Sequence, residues 1–210
     1  CLISGILTGE DATDWGGIAS DKLSDLIIDS QSTTVFAVIQ TSPAADTRSK
    51  YYLYYRGHCA DGADEASYSA YGRAANEKYT SAWVETDATP SVETLLSSSV
   101  FADTDSHLIT TLGDAGANNA IIRVDQVEED TETLDNPILI DFDSDGAADT
   151  PKTGAGQIGI GAQTVSSVIA QASLVEQFNG RIYEILVYDR ALSTQNILIV
   201  ENYLKDKNDI

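Results

Sequence analysis

Apolar positions along this chain recur mostly at every second residue, in short runs separated by glycine-, asparagine- and acid-rich stretches. Thr33 to Thr41, TTVFAVIQT, is a dense β-branched and aromatic run and predicts a central strand. Residues 51–56, YYLYYR, predict the next strand. Its alternation sets Tyr51, Leu53 and Tyr55 on one face and Tyr52, Tyr54 and Arg56 on the other. Residues 106–111, SHLITT, and 120–127, AIIRVDQV, flank the turn-forming LGDAGANN and predict a hairpin. Asn179-Gly180 opens a closing strand over residues 181–188. Ser193 then has N-cap chemistry, and Ile197, Val200, Glu201 and Leu204 follow at helical spacing. Lys205 and Lys207 sit where the helix dipole favours cations. Elsewhere the pattern is weaker. Residues 1–32 are mixed, with Trp15 as a loop aromatic, and residues 59–82 read as short strands and surface loops. Residues 91–99 are ambiguous, and 128–135 is an acidic excursion. Many short strands, spaced turns and one helix predict an all-β fold, a sandwich or jelly roll with a short C-terminal helix. No repeat or linker interrupts it, so residues 1–210 are expected to form a single domain.

Composition narrows the partners. The 210 residues suffice for one sandwich with a substantial core. The net charge is −21, from 33 acidic and 12 basic residues. That balance argues against nucleic acid and against docking on anionic lipid, both of which need clustered Lys and Arg. It suits a soluble surface protein, a saline habitat or a cation-binding surface, and simple solvation explains it too. No apolar run reaches the roughly 18 residues of a membrane helix, so no membrane span is expected. Cys1 and Cys59 leave three states open: a single bridge, free thiols, or a lipid on Cys1 as in a mature bacterial lipoprotein. The chain holds no Met, which reads as a processed or truncated start.

Two stretches carry candidate chemistry. In DFDSDGAAD, Asp141, Asp143, Asp145 and Asp149 stand at loop positions 1, 3, 5 and 9, with Gly146 at 6. Calcium takes about six to eight oxygen ligands, and this spacing aims several carboxylates, with the Ala147 carbonyl, at one point. An EF-hand loop also needs a Glu at position 12, where this chain has Lys152. Calcium is therefore the expected cofactor of an incomplete loop, and a solvated acidic turn is the other reading. Ten Tyr against four Phe favours aromatics with a polar tip. Tyr52, Tyr54, Arg56 and Trp83 are the candidate ligand-binding residues, flat or forked surfaces for a sugar ring or a peptide; packing in the core is the alternative. His58 and Cys59 are adjacent, so on a strand they diverge, and no catalytic pair is expected.

The chain resembles the concanavalin A-like lectin/glucanase superfamily, in its laminin-G-like jelly-roll branch. TVFAVIQ at 34–40 resembles the family's early core strand, and HLITTLGDAGANNAIIRVDQV at 107–127 its mid-domain hairpin. There the family's strand ends near "VDG"; here Gln126 follows Val124-Asp125, so this turn must differ. FNGRIYEILVYDRALS, from residue 178, and its helix resemble the closing strand and tail. The family's opening Trp-bearing loop has at best a degenerate echo in TDWGG, so the first strand is expected to be absent, rebuilt or carried on a longer precursor. The resemblance implies two packed sheets with one concave face, not one activity. Some glucanases of the superfamily carry an E-x-D-x-E strand, which Glu128, Asp130 and Glu132 imitate. However, Glu129 and Thr131 replace the intervening apolar residues and no Trp follows, so these positions read as an exposed loop rather than as catalytic.

Three functions follow. The leading one is a non-catalytic extracellular carbohydrate- or surface-binding module, calcium-associated, with a glycan or cell-surface ligand. The second is a structural or adhesive subunit of a cell-surface layer, filament or virus particle that self-assembles. The remote third is a glycoside hydrolase.

Overall fold

The computed structural model describes the backbone of residues 2–9, 17–18, 32–41, 50–57, 70–74, 79–85, 91–99, 105–134, 157–160, 163–164, 174–175, 180–188 and 190–210. Side chains are described for 32–41, 79, 95, 97–99, 105–134, 180–188 and 190–210. The strands are β1 (Leu2–Gly9), β2 (Gly17–Ile18), β3 (Thr33–Thr41), β4 (Lys50–Gly57), β5 (Ala70–Ala74), β6 (Tyr79–Glu85) and β7 (Ser91–Leu96). They continue as β8 (Ser106–Asp114), β9 (Asn119–Val124), β10 (Val127–Thr133), β11 (Gln157–Ile160), β12 (Gln163–Thr164), β13 (Leu174–Val175) and β14 (Gly180–Tyr188). Helix α1 (Thr194–Asn208) closes the chain.

Two six-stranded sheets hold most of these elements. Sheet A runs β1-β14-β3-β8-β9-β10 and sheet B runs β2-β11-β4-β5-β6-β7, and every pairing in both is antiparallel. β12 and β13 form a separate pair. The architecture is the expected all-β antiparallel sandwich with a C-terminal helix. The sheets approach each other where β6 and β7 meet β9 and β10.

At β3, sheet A is dry on both faces, which is why this strand reads as a near-continuous apolar run. One face meets α1. Phe36, Val38, Leu108, Leu112 and Leu186 pack there with Ile197 and Leu204 of the helix. Phe36 also meets the Tyr188 ring edge-on, with centroids 5.8 Å apart. The Thr34 hydroxyl donates to the Arg190 carbonyl at 2.9 Å and accepts from the Leu192 amide at 3.0 Å, tying β3 to the segment before the helix. The other face buries Val35, Ala37 and Ile39, whose register partners on β8 are Thr111, Ile109 and His107. His107 meets the Tyr79 ring of β6 edge-on, centroids 6.0 Å apart, so this face looks toward sheet B.

Local chemistry explains the helix. Its N-cap is Ser193, whose hydroxyl accepts from the Asn196 amide. Lys205 and Lys207 lie in the last turn, and Asp209 closes the helix in the left-handed region at φ 57°. Ile197, Glu201 and Leu204 are its buried residues, a stripe at helical spacing that includes a carboxylate.

Several boundaries differ from the sequence reading. Residues 1–32, which gave no strand, contain β2 and the edge strand β1, which pairs with β14. An opening strand is therefore present at Leu2–Gly9. The ambiguous segment 91–99 contains β7. The turn expected over 112–119 is confined to residues 115–118, since β8 extends to Asp114 and β9 begins at Asn119. Asp114 nucleates that tight turn by accepting from the Gly116 and Ala117 amides. The return strand stops at Val124 rather than 127. Asp125 and Gln126, at φ 50° and 73°, form a two-residue turn of the primed type that suits a hairpin. Beyond it the acidic segment is a strand, β10, not a loop. It pairs with β9 at the edge of sheet A, which a polar sequence can do because only one of its edges is bonded.

Candidate functional site

The candidate ligand-binding residues all fall in sheet B. Tyr52, Tyr54 and Arg56 lie on β4, between β11 and β5; Trp83 lies on β6, between β5 and β7. In register, Tyr52 faces Gly72, Tyr54 faces Tyr71 and Ile160, Arg56 faces Ile158, and Trp83 faces Glu93. Their side chains are not among those described. A register shift between Tyr52 and Tyr54 marks a β-bulge, so the two-residue alternation assumed from the sequence does not run unbroken through β4.

The electrostatics of these strands can be read from the elements alone. β2, β11, β4 and β5 contain Lys50, Arg56 and Arg73 and no Asp or Glu. In a chain of net charge −21, these four adjacent strands bring three cations and no carboxylate, a framework less repulsive to an anion than the acid-bearing strands. The sequence reading did not single out Arg73. Its signal, a cation on a strand free of acids, becomes visible only once β5 is known to lie beside β4.

The calcium candidates Asp141, Asp143, Asp145, Ala147 and Asp149 lie outside the described residues. Among the described residues no group of three or more His, Cys, Asp or Glu is arranged to hold a metal ion.

At the rim where the sheets meet, described polar groups form a connected set. His107 Nδ1 lies 2.7 Å from Asp125 Oδ2, while Asp125 Oδ1 accepts from the Leu108 amide at 2.9 Å. The Asp125 amide in turn donates to the Leu108 carbonyl at 2.8 Å. Burial pushes the Asp125 carboxyl up, but the bonds from His107 and the Leu108 amide outweigh it and hold the group below its ordinary value. Arg123 occupies the opposite face of sheet A, where its Nη2 donates to the Gln126 carbonyl at 2.6 Å and its guanidinium engages Glu201.

The acidic strand β10 carries the Glu128, Asp130 and Glu132 positions. The register shifts between Glu128 and Asp130, so Glu128, Asp130 and Glu132 do not follow one uninterrupted alternation. Glu129, at the shift, is half-buried, and its carboxylate accepts from the Ser98 hydroxyl and from the amide and hydroxyl of Ser99. Partial burial raises the Glu129 carboxyl, and these serine bonds more than reverse that, leaving it lowered.

No helix among the described residues is long and apolar enough to cross a membrane. No family model and no curated protein matches the chain. Solved structures do. The chain is similar to the CBM40 module of the Ruminococcus gnavus IT-sialidase bound to α2,3-sialyllactose, with TM-score 0.65 and 14% identity, over 96% of this chain and 98% of that one. It is similar to the NanB sialidase from Streptococcus pneumoniae, with TM-score 0.62 and 15% identity, over 94% of this chain but 27% of that one. The mouse laminin α1 chain, domains LG4-5, matches with TM-score 0.54 and 13% identity, over 93% of this chain and 44% of that one. At such identities the likeness speaks for the fold alone, and that fold is a lectin-like, laminin-G-like jelly roll.

Proposed function

We propose that this chain is a non-catalytic, extracellular glycan-binding module that takes sialylated oligosaccharides on sheet B. The observation that carries this reading is the end-to-end match to a CBM40 module bound to sialyllactose, a structure that this chain spans almost completely. The match to NanB covers only 27% of that sialidase, as a module within a larger enzyme would. Sialyllactose is anionic, and the run of strands from β2 to β5 is where this acidic chain carries Lys50, Arg56 and Arg73 without carboxylates. Arg suits a carboxylate through its planar fork, and Tyr52, Tyr54 and Trp83 suit the sugar rings. Calcium at Asp141–Asp149 is part of the proposal as a support for the loop rather than as a reactant.

Isothermal titration tests it with α2,3-sialyllactose, α2,6-sialyllactose and lactose, each with and without chelator. Binding of either sialylated sugar, with none to lactose, is the expected result, and Arg56→Ala weakens it at least tenfold. No binding of either sialyllactose in calcium-containing buffer overturns the reading.

A further inference from the structure

The carboxylate of Glu129 joins the two sheets. Glu129 belongs to the edge strand of sheet A, while Ser98 and Ser99 follow the edge strand of sheet B. One carboxylate spans the two edges with three hydrogen bonds, 2.9 Å from the Ser99 amide and 3.3 Å from its hydroxyl among them. The serines continue inward. Buried Ser97 donates its amide to the Tyr79 carbonyl at 2.8 Å, accepts from the Tyr79 amide through its hydroxyl at 3.0 Å, and bonds the Ser99 carbonyl at 2.9 Å. Tyr79 begins β6, and its ring meets His107 of sheet A, which Asp125 holds. The connection thus leaves sheet A at Glu129, crosses the end of β7 to the start of β6, and returns to sheet A at His107.

The bulge in β10 has a role in this arrangement. A bulge places an additional residue on one strand and re-aims a side chain, and the register shift of β10 falls at Glu129. In an acidic run where charge alone offers solvation, this position carries three bonds to another sheet.

We infer that Glu129 is a positioning residue: through Ser98, Ser99 and Ser97 it fixes the β6–β7 edge of sheet B against sheet A, and with it the strand that carries Trp83. The effect on ligand binding rests on the proposed glycan-binding function; the mechanical effect does not.

Hydrogen exchange followed by mass spectrometry separates the two. Glu129→Gln, which keeps the size of the side chain, is compared with Asp206→Asn, which removes the same charge from the exposed face of α1. Glu129→Gln is expected to speed exchange at Tyr79, Ser97 and Ser99 about tenfold or more, while β3 and β14 retain wild-type protection and Asp206→Asn changes neither. Equal exchange in the two variants at those three amides overturns the inference. Titration with α2,3-sialyllactose then reads the consequence: Glu129→Gln weakens binding several-fold and Asp206→Asn does not, and wild-type affinity in Glu129→Gln overturns the link to the ligand. A wild-type protein that binds no sialyllactose ends the proposed function, while the exchange result still decides the clasp.

Discussion

Arg123 of β9 grips Glu201 of α1 in a two-pronged ion pair, Nε to Oε1 at 2.9 Å and Nη2 to Oε2 at 3.1 Å, with the carboxylate fully buried. Thr110 adds a third bond to Oε1 at 2.8 Å. Three donors converge on one carboxylate, which is how a charge is accommodated in a dry interface. The pair fixes where α1 sits on sheet A rather than how strongly it is held, because desolvating two ions offsets most of their attraction.

Removing one partner of this pair is expected to be expensive. Glu201→Ala leaves the guanidinium buried and unmatched, at a cost of about 3–5 kcal/mol. The double variant Arg123→Met with Glu201→Leu recovers most of that loss. Urea unfolding monitored by circular dichroism measures both; equal destabilisation of the single and double variants contradicts the argument.

The turn at Asp125-Gln126 gives a second test. Gln126 holds φ 73° without being glycine, a conformation that costs an L-residue about 1–2 kcal/mol. Its side-chain Nε2 donates to Asn202 Oδ1 at 2.7 Å and its backbone carbonyl accepts from Arg123, which together offset the strain. Gln126→Gly relieves the backbone but loses the bond to Asn202, so its stability stays within about 1 kcal/mol of wild type. Gln126→Val keeps the strain, adds a β-branch and loses the bond, and is destabilised by about 2 kcal/mol. Thermal midpoints of the two variants, measured side by side, check the order.

Acid should loosen the rim between the sheets. Asp125 and Glu129 both have carboxyls held below their ordinary values, 3.8 and 4.5. A group whose folded value is lowered contributes stability above its unfolded value and loses it as the pH falls through the folded one. Stability from this pair is therefore complete above about pH 5 and declines below it. Asp125→Asn flattens the acid limb of a stability–pH curve; an unchanged limb contradicts the assignment. Lys207, raised by its bond to Glu184 at 2.8 Å, works at the other end, with its contribution lost only above its ordinary 10.5.

Charge screening and calcium binding predict separable responses to two additions. Sodium chloride screens the self-repulsion of a chain of net charge −21 and raises its melting temperature gradually. Calcium in the micromolar to millimolar range raises it further through Asp141, Asp143 and Asp145, and Asp143→Asn with Asp145→Asn abolishes that increment. Magnesium at equal concentration serves as the control for screening alone.

The parts of the fold that were legible in the sequence are those with one environment per face. Thr33–Thr41 declared itself by its unbroken apolar run, and Ser193 with its helix by capping chemistry and spacing. β10 was not legible, because an edge strand half in water needs no apolar face and its Glu and Asp residues look like a loop. The Asp125-Gln126 turn lacks the glycine that usually announces one, since Arg123 and Asn202 supply from elsewhere what glycine would supply locally. The partnership of Glu129 with Ser98 and Ser99 links positions about thirty residues apart and depends on a bulge that no alternation rule foretells. Of the candidate ligand residues, the shared sheet of Tyr52, Tyr54, Arg56 and Trp83 follows from strand order, which the sequence does not contain.

Because β3 is enclosed front and back, greasiness cannot tell it which way to face. A slide by a single position would trade Phe36 and Val38 for Val35, Ala37 and Ile39, one oily set for another. The hydroxyl of Thr34 near one end, clamped between Arg190 and Leu192, and the amide oxygen of Gln40 near the other, which accepts from the Tyr183 hydroxyl at 3.1 Å, act as locating pins. Alignment of the middle layer thus draws on polar side chains at its ends, Thr34 and Gln40 among them, and changing Thr34 to valine would leave the strand well buried yet freer to mis-seat.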